Sequence, residues 1–136
     1  CVLDFRMVAR ADGQRVMTEL EAASTRIARD TGARIELDGG IRRPPLEPSE
    51  GSVALYRRYA ACAAAEGLGN GESPLLGGGS DANDVAALGV PVIDGLGPRG
   101  RGFHTHDEHI ELPTLLARTR ALIRFLAQDL PGGGLA

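Results

Sequence analysis

Three histidines and two carboxylates fall within six residues, in the segment His104-Thr105-His106-Asp107-Glu108-His109. Neutral imidazole nitrogen and carboxylate oxygen are the ligands that suit a divalent ion such as zinc. In an extended segment His104 and His106 share one face and His109 lies on the other, so at most two meet one ion without a turn. The segment therefore predicts part of a metal site. The alternative is a solvated loop whose acids cap the next element.

A glycine-rich run, GGGSD at residues 77–81, follows a short apolar stretch and precedes a predicted helix. Bare N–H groups at a helix start favour an anion. The run does not match the G-x-G-x-x-G pattern of a dinucleotide fingerprint, and it is not a P-loop because no lysine follows it. The alternative is a tight turn in which Ser80 or Asp81 caps the helix, and the two interpretations are compatible.

Two arginines are further candidates, since a guanidinium fork can hold a carboxylate through two parallel hydrogen bonds. For Arg6 the alternative is a surface ion pair with Asp4, which lies two residues away on the same strand face. Taken alone, Arg6 and Arg43 are both better explained as surface arginines than as carboxylate-binding residues. A Ser80, His104 and Asp107 triad can be assembled on paper, but the chain has no G-x-S-x-G turn to expose the serine.

Composition excludes several classes of protein. The 136 residues are 43% hydrophobic and 24% charged, which is ordinary for a globular domain. The net charge of −3 gives no reason to expect a nucleic acid or a membrane surface as partner. The apolar runs are shorter than the roughly 20 residues that span a bilayer. Cys1 and Cys62 are too isolated to indicate a disulfide framework or a thiolate zinc site.

Strands and helices are predicted to alternate along the chain. Residues 2–9 alternate like a half-buried strand, and helical spacing over 13–30 follows, with Asp12 as N-cap and Gly32 as the stop. A second short strand is predicted at 34–37.

A proline-rich boundary at residues 44–49 then precedes a new unit. The remaining predictions are a helix from Ser49 to Gly67, a short helix from the glycine-rich run to Leu88 with Gly89 as its stop, a strand at 90–93 and a helix at 113–129.

Five motifs, in this order and spacing, resemble the C-terminal part of a known family of zinc metallopeptidases. The family includes glutamate carboxypeptidase, acetylornithine deacetylase, succinyl-diaminopimelate desuccinylase and aminoacylase, and the glutamate carboxypeptidase branch is the most similar. The motifs are Leu3-Asp4-Phe5-Arg6, Arg43-Pro44-Pro45, Gly77-Gly78-Gly79-Ser80-Asp81-Ala82, Pro91-Val92-Ile93-Asp94-Gly95-Leu96-Gly97-Pro98 and Gly102-Phe103-His104-Thr105-His106-Asp107-Glu108.

The resemblance implies an α/β protein in two parts. Residues 1–45 are expected to be the second half of a ferredoxin-like α+β lid domain, and residues 46–136 the C-terminal part of a zinc-exopeptidase-type catalytic domain. It also implies two zinc ions in the complete enzyme, with cobalt or manganese as alternatives, and a homodimer formed through the lid. The expected substrate is a peptide or N-acyl amino acid, and the expected compartment is the cytoplasm, with periplasm or secretion left open.

Individual roles follow from the same resemblance. His104 matches a metal ligand, whereas His106 and His109 match none. Arg6 matches the lid arginine that holds the substrate carboxylate, Gly79 a glycine whose backbone lines the substrate site, and Arg43 a further lid arginine near the substrate.

The family's general base and its other metal ligands have no counterpart in these residues, so no catalytic residue is expected in the chain. The chain is therefore expected to be a fragment that is inactive alone and belongs to a hydrolase. The alternative is a truncated, non-catalytic scaffold or dimerisation module.

Overall fold

The computed structural model describes residues 1–69, 71–74 and 77–129. Within these residues the chain forms four helices and one antiparallel two-stranded sheet, a mixed, helix-rich arrangement consistent with the α/β class. In chain order the elements are α1 (Arg10–Thr31), α2 (Glu50–Ala65), α3 (Ala82–Ala87), β1 (Gly100–Arg101), β2 (His109–Ile110) and α4 (Leu112–Ala127).

The contacts divide the chain into two compact units. Among the described residues, unit 1 comprises 1–48 and 77–90, and unit 2 comprises 49–69, 71–74 and 91–129. Unit 1 therefore contains α1 and α3, while α2, α4 and the small sheet belong to unit 2. The domain boundary between residues 45 and 46 stays a prediction.

Helix α1 ends as the sequence predicts but begins earlier. Its N-cap is Ala9, which makes no side-chain capping bond, so the prediction of Asp12 as N-cap is wrong. Asp12 lies inside the first turn, where a negative charge favours the helix dipole, and pairs with Arg15 at 3.1 Å. The end is set by Gly32, whose left-handed φ of 71° lets its N–H donate to the carbonyl of Ala28.

Extended segments before and after α1 pack against the start of this helix in unit 1. Gly13 is the buried residue of α1, and a methyl group added to it would overlap Met7 Sδ and lie 3.0 Å from Ile41 Cδ1. Glycine at this position lets the Met7 and Ile41 side chains approach the helix backbone closely, and a larger residue would make them shift. The contact positions the two segments that carry Arg6 and Arg43.

Helix α2 begins where the sequence predicts. The side chain of Ser49 accepts a hydrogen bond from the N–H of Ser52 at 3.1 Å, which satisfies one of the free donors of the first turn. The hydroxyl of Ser52 in turn accepts from the N–H of Val92 at 3.0 Å. The strand predicted at 90–93 is therefore held to the start of α2 through a side chain rather than through a ladder.

The core of unit 2 lies between α2 and α4. The rings of Tyr59 and Phe125 meet edge to face, with centroids 5.8 Å apart and an interplanar angle of 80°. Such a pair contributes about 0.5–1.5 kcal/mol beyond its burial. Arg58 lies over the Phe125 ring at 5.2 Å and pairs with Asp129 at 2.7 Å. The buried residues of this core are Tyr59, Cys62, Ala63, Ala121 and Phe125.

The strands predicted at 2–9, 34–37 and 90–93 form no ladder with any described residue, so these three predictions are wrong. The alternation at 2–9 is nevertheless present in part of the segment, because Phe5 and Met7 are half-buried between exposed neighbours, whereas Leu3, which shares their side, is 64% exposed. Periodicity fixes which side of an extended segment is covered. A strand also needs a hydrogen-bonding neighbour, which periodicity does not supply.

Across the described part of the chain, none of the helices combines the length and the apolar character that crossing a bilayer requires.

Candidate substrate loop and histidine turn

The glycine-rich run forms a loop that leads into α3, and two hydrogen bonds from backbone N–H groups to side chains hold this junction. We name residues 77–81 the substrate loop. The hydroxyl of Ser80 accepts from the N–H of Ala82 at 3.2 Å, and the Asn83 side-chain oxygen accepts from the N–H of Ser80 at 3.1 Å. Asp81 makes no side-chain capping bond. The capping role predicted for Ser80 or Asp81 is thus confirmed for Ser80.

Asn83 also reaches a distant part of unit 1. Its side-chain nitrogen donates to the carbonyl of Pro44 at 2.7 Å, across 39 positions of sequence, and both Asn83 bonds are partly buried. Hydrogen bonds in a partly buried setting are costly to leave unmade. The side chain therefore connects the substrate loop to the segment that follows Arg43.

Arg43 lies directly against the substrate loop. A methyl group on Gly79 would lie 2.9 Å from Arg43 Nη1, so the guanidinium occupies the space that any larger residue would need. Its other nitrogens approach two carboxylates: Nη2 lies 3.5 Å from Asp81 and Nε lies 3.9 Å from Asp84. The Arg43 side chain is 46% exposed. Loose, exposed pairs of this kind contribute about 0–1 kcal/mol.

Arg6 reaches the same loop from the N-terminal segment, and it is exposed. One of its terminal nitrogens donates to the carbonyl of Gly77. The structure therefore brings the three predicted substrate-binding residues, Arg6, Arg43 and Gly79, to one loop of unit 1. Two guanidinium groups that contact one glycine-rich loop form an arrangement that suits an anion, and a planar carboxylate in particular.

His104 lies in a tight turn of unit 2, so the alternating faces of an extended segment do not apply to His104 and His106, whereas His109 lies in β2. β1 and β2 pair around it, with Gly100 opposite Ile110. Gly102 and His104 both have left-handed backbones, with φ of 71° and 64°. The turn is closed by the N–H of Thr105, which donates to the Gly102 carbonyl at 3.0 Å.

A left-handed φ is uncommon outside glycine and costs about 1 kcal/mol or more in a bulky residue. The N–H of His104 donates to a Glu108 carboxylate oxygen at 3.2 Å, and this bond helps to hold the strained residue. Such strain concentrates at functional positions. The backbone therefore presents the exposed His104 imidazole at the tip of the turn.

The other candidates in this segment have different surroundings. A ring nitrogen of His109 lies 2.8 Å from the carbonyl of Asp107, and His106 is exposed. Among the residues that the structure describes, no three His, Cys, Asp or Glu side chains are grouped so that they could hold a metal ion. The described residues do not complete a metal site, and the role of His104 as one ligand stays a prediction.

The sequence interpretation missed Asn83 and Asp84, the residues that contact the Arg43 segment. A signal for Asn83 was present in its spacing. A serine followed three positions later by a residue with a side-chain acceptor is the pattern of a capping box, in which the later side chain reaches back to the N–H of the serine. Asp84 follows directly and gave no separate signal.

The family comparison covers almost the whole chain. Residues 7–128 match the model of the peptidase family M20/M25/M40, which is well over half of the 136 residues. No curated protein and no solved structure is similar enough to count as a match. The matched range includes Arg43, Gly79 and His104, and begins one residue after Arg6. The chain therefore belongs to the peptidase family M20/M25/M40.

Proposed function

We propose that this chain is the C-terminal part of a metal-dependent hydrolase that cleaves a peptide or N-acyl amide bond beside an amino acid with a free carboxylate. Membership of the family supports a metallopeptidase or amidohydrolase function in general, and peptidases of this family are generally metal-dependent. The glutamate carboxypeptidase-like substrate preference is the finer part of the proposal.

The observation that carries the proposal is the meeting of Arg6, Arg43 and Gly79 at the substrate loop. A guanidinium matches a carboxylate in shape and charge, and it stays protonated at any working pH. Gly79 lets the Arg43 guanidinium approach the loop backbone closely, because any larger residue would need the space that the guanidinium occupies. These residues would bind and orient the substrate carboxylate, which places the scissile bond for attack.

His104 is proposed to supply one ligand to the metal centre, for which the resemblance implies two zinc ions, with cobalt or manganese as alternatives. A metal in this role polarises the scissile carbonyl and activates water. The contribution of this chain is then one imidazole and the binding of substrate. The general base and the other ligands belong to the rest of the proposed enzyme, so the 136 residues alone are expected to be inactive.

Amide hydrolysis by the full-length enzyme tests the proposal. The substrate is N-acetyl-L-glutamate, and the matched control is N-acetyl-4-aminobutyrate, which carries the same amide but lacks the α-carboxylate. Arg6→Gln is compared with Arg26→Gln, which removes the same charge from an exposed position of α1.

We expect hydrolysis of the first compound only, and a higher KM in Arg6→Gln but not in Arg26→Gln. Equal hydrolysis of both compounds, or equal KM values in Arg6→Gln and Arg26→Gln, would contradict the assignment of Arg6 to the substrate carboxylate. A full-length protein that hydrolyses neither compound nor any other N-acyl amino acid would favour the scaffold alternative.

A further inference from the structure

We propose that Asn83 is a positioning residue that fixes Arg43 against the substrate loop, and thereby sets the affinity for the substrate carboxylate. The inference deepens the proposed function and rests on it. Asn83 itself is not required to touch the substrate.

The geometry of the Asn83 amide supports this role. Its oxygen accepts from the N–H of Ser80 at 3.1 Å and its nitrogen donates to the carbonyl of Pro44 at 2.7 Å. Ser80 follows Gly79 and Pro44 follows Arg43, so each bond fixes the backbone next to one substrate-binding position. The half-buried Asn83 side chain thus holds the backbone at Gly79 and the backbone at Arg43 in fixed positions relative to each other.

The ion pairs of Arg43 are too loose to perform this task. Its nitrogens lie 3.5 and 3.9 Å from the carboxylates of Asp81 and Asp84, and both acidic side chains are well exposed. Exposed pairs at such distances are weak and screened by salt. A substrate carboxylate can therefore replace them at little cost, while the Asn83 bonds keep the Arg43 backbone in place.

The chemistry of the position requires an amide. The side chain must accept from one backbone group and donate to another, and among residues of this size only asparagine carries an acceptor atom and a separate donor atom in its neutral side chain. Aspartate has the same shape and keeps the acceptor, but its second oxygen would face the Pro44 carbonyl without a proton to share. Asn83→Asp therefore breaks one bond without changing the volume of the side chain.

The kinetic test uses the full-length enzyme with N-acetyl-L-glutamate as substrate and free L-glutamate as inhibitor. Asn83→Asp is compared with Asn83→Ala, which removes both bonds without adding charge. The matched control is Ala87→Asp, which adds the same charge at an exposed position of α3.

We expect both Asn83 variants to raise KM and the inhibition constant of L-glutamate about tenfold, with kcat within about twofold. The control is expected to match the unaltered enzyme. If the enzyme is active and the Asn83 variants have the same KM and inhibition constant as Ala87→Asp, the inference is overturned and the proposed function stays intact. An unaltered enzyme that neither hydrolyses the amide nor binds L-glutamate refutes the proposed function instead.

A second measurement tests the positioning geometry without activity. In the 136-residue chain, hydrogen exchange at the Ser80 amide is expected to be about tenfold faster in Asn83→Ala than in Ala87→Asp, because the acceptor is lost. Equal exchange in the two variants would show that Asn83 does not hold the loop, and the inference would then be wrong whatever the kinetics.

Discussion

Alanine at Gly79 is expected to weaken carboxylate binding while leaving the chain almost as stable as before. The added methyl group would lie 2.9 Å from Arg43 Nη1 and 3.2 Å from Arg43 Cδ. Favourable contacts between non-bonded heavy atoms lie at about 3.5–4.0 Å, so the guanidinium must move by roughly half an ångström or more. Since the Arg43 side chain is 46% exposed, it can move into solvent.

Gly78→Ala is the control for the effect of Gly79→Ala on the free energy of unfolding. At Gly78 the same methyl group meets no atom of the described residues within 4 Å, and neither glycine has a positive φ. Both substitutions restrict the unfolded chain equally, by about 0.4–1 kcal/mol in favour of folding. We therefore expect the free energies of unfolding of Gly79→Ala and Gly78→Ala to differ by less than about 1 kcal/mol.

Binding should separate the two variants clearly. A hydrogen bond to a charged group contributes about 1.5–3 kcal/mol, so displacement of Arg43 is expected to weaken L-glutamate binding by about 10- to 150-fold. Urea unfolding followed by circular dichroism gives the stabilities, and calorimetric titration of the full-length enzyme gives the affinities. Equal affinities in the two variants, or a loss of more than about 2 kcal/mol in Gly79→Ala alone, would refute the reasoning.

Three further predictions concern single elements. Phe125→Ala removes the ring that packs on Tyr59 and should cost about 3–5 kcal/mol of unfolding free energy in thermal denaturation; a cost below about 1 kcal/mol would mean that α4 does not pack on α2 as described. Ser49→Ala should cost about 1 kcal/mol by urea unfolding, because the Ser52 N–H loses its acceptor, and Ser49→Thr should restore most of it; equal losses would contradict the capping role. His104→Gly should raise the stability of the 136-residue chain by about 0.5–1 kcal/mol in urea unfolding, because relief of about 1–2 kcal/mol of backbone strain at φ of 64° exceeds the roughly 0.4–1 kcal/mol that glycine costs through the freer unfolded chain; destabilisation would contradict the strain argument.

The helices could be read from the sequence because their signals are local. Apolar spacing, the Ser49 cap and the glycine stops at Gly32 and Gly89 each depend on neighbouring residues alone, and Gly32 and Gly89 have the left-handed φ that such stops need. The error at the start of α1 has the same origin. Asp12 is a good capping residue, but the helix continues past it to Ala9.

The strands could not be read in the same way. Alternation at residues 2–9 correctly indicates that Phe5 and Met7 are covered but fails at Leu3, which is 64% exposed. The formation of a ladder depends on partners elsewhere in the chain. The turn at His104 was missed for a related reason. Its left-handed residue is a histidine, which adopts a positive φ more often than most residues but far less readily than glycine, so the residue type alone did not indicate the turn.

The candidate substrate loop was predicted residue by residue from the resemblance, and the contacts that hold it came from the structure. The sequence offered Arg6, Arg43 and Gly79 as separate candidates, without the distances between them. Asn83, which bonds to both Ser80 and Pro44, connects positions 39 residues apart. A pattern of neighbouring residues cannot indicate a contact across 39 positions of sequence.

Zinc titration by calorimetry tests the central claim most directly, with the full-length enzyme and with its His104→Ala and His106→Ala variants. We predict that the unaltered enzyme binds two zinc ions, that His104→Ala loses affinity at one of them and that His106→Ala keeps both. The 136-residue chain alone should bind zinc weakly, since a single imidazole holds the ion poorly. Binding that is indifferent to His104, or equally tight in the short chain, would contradict the claim that His104 is one ligand of a larger metal centre.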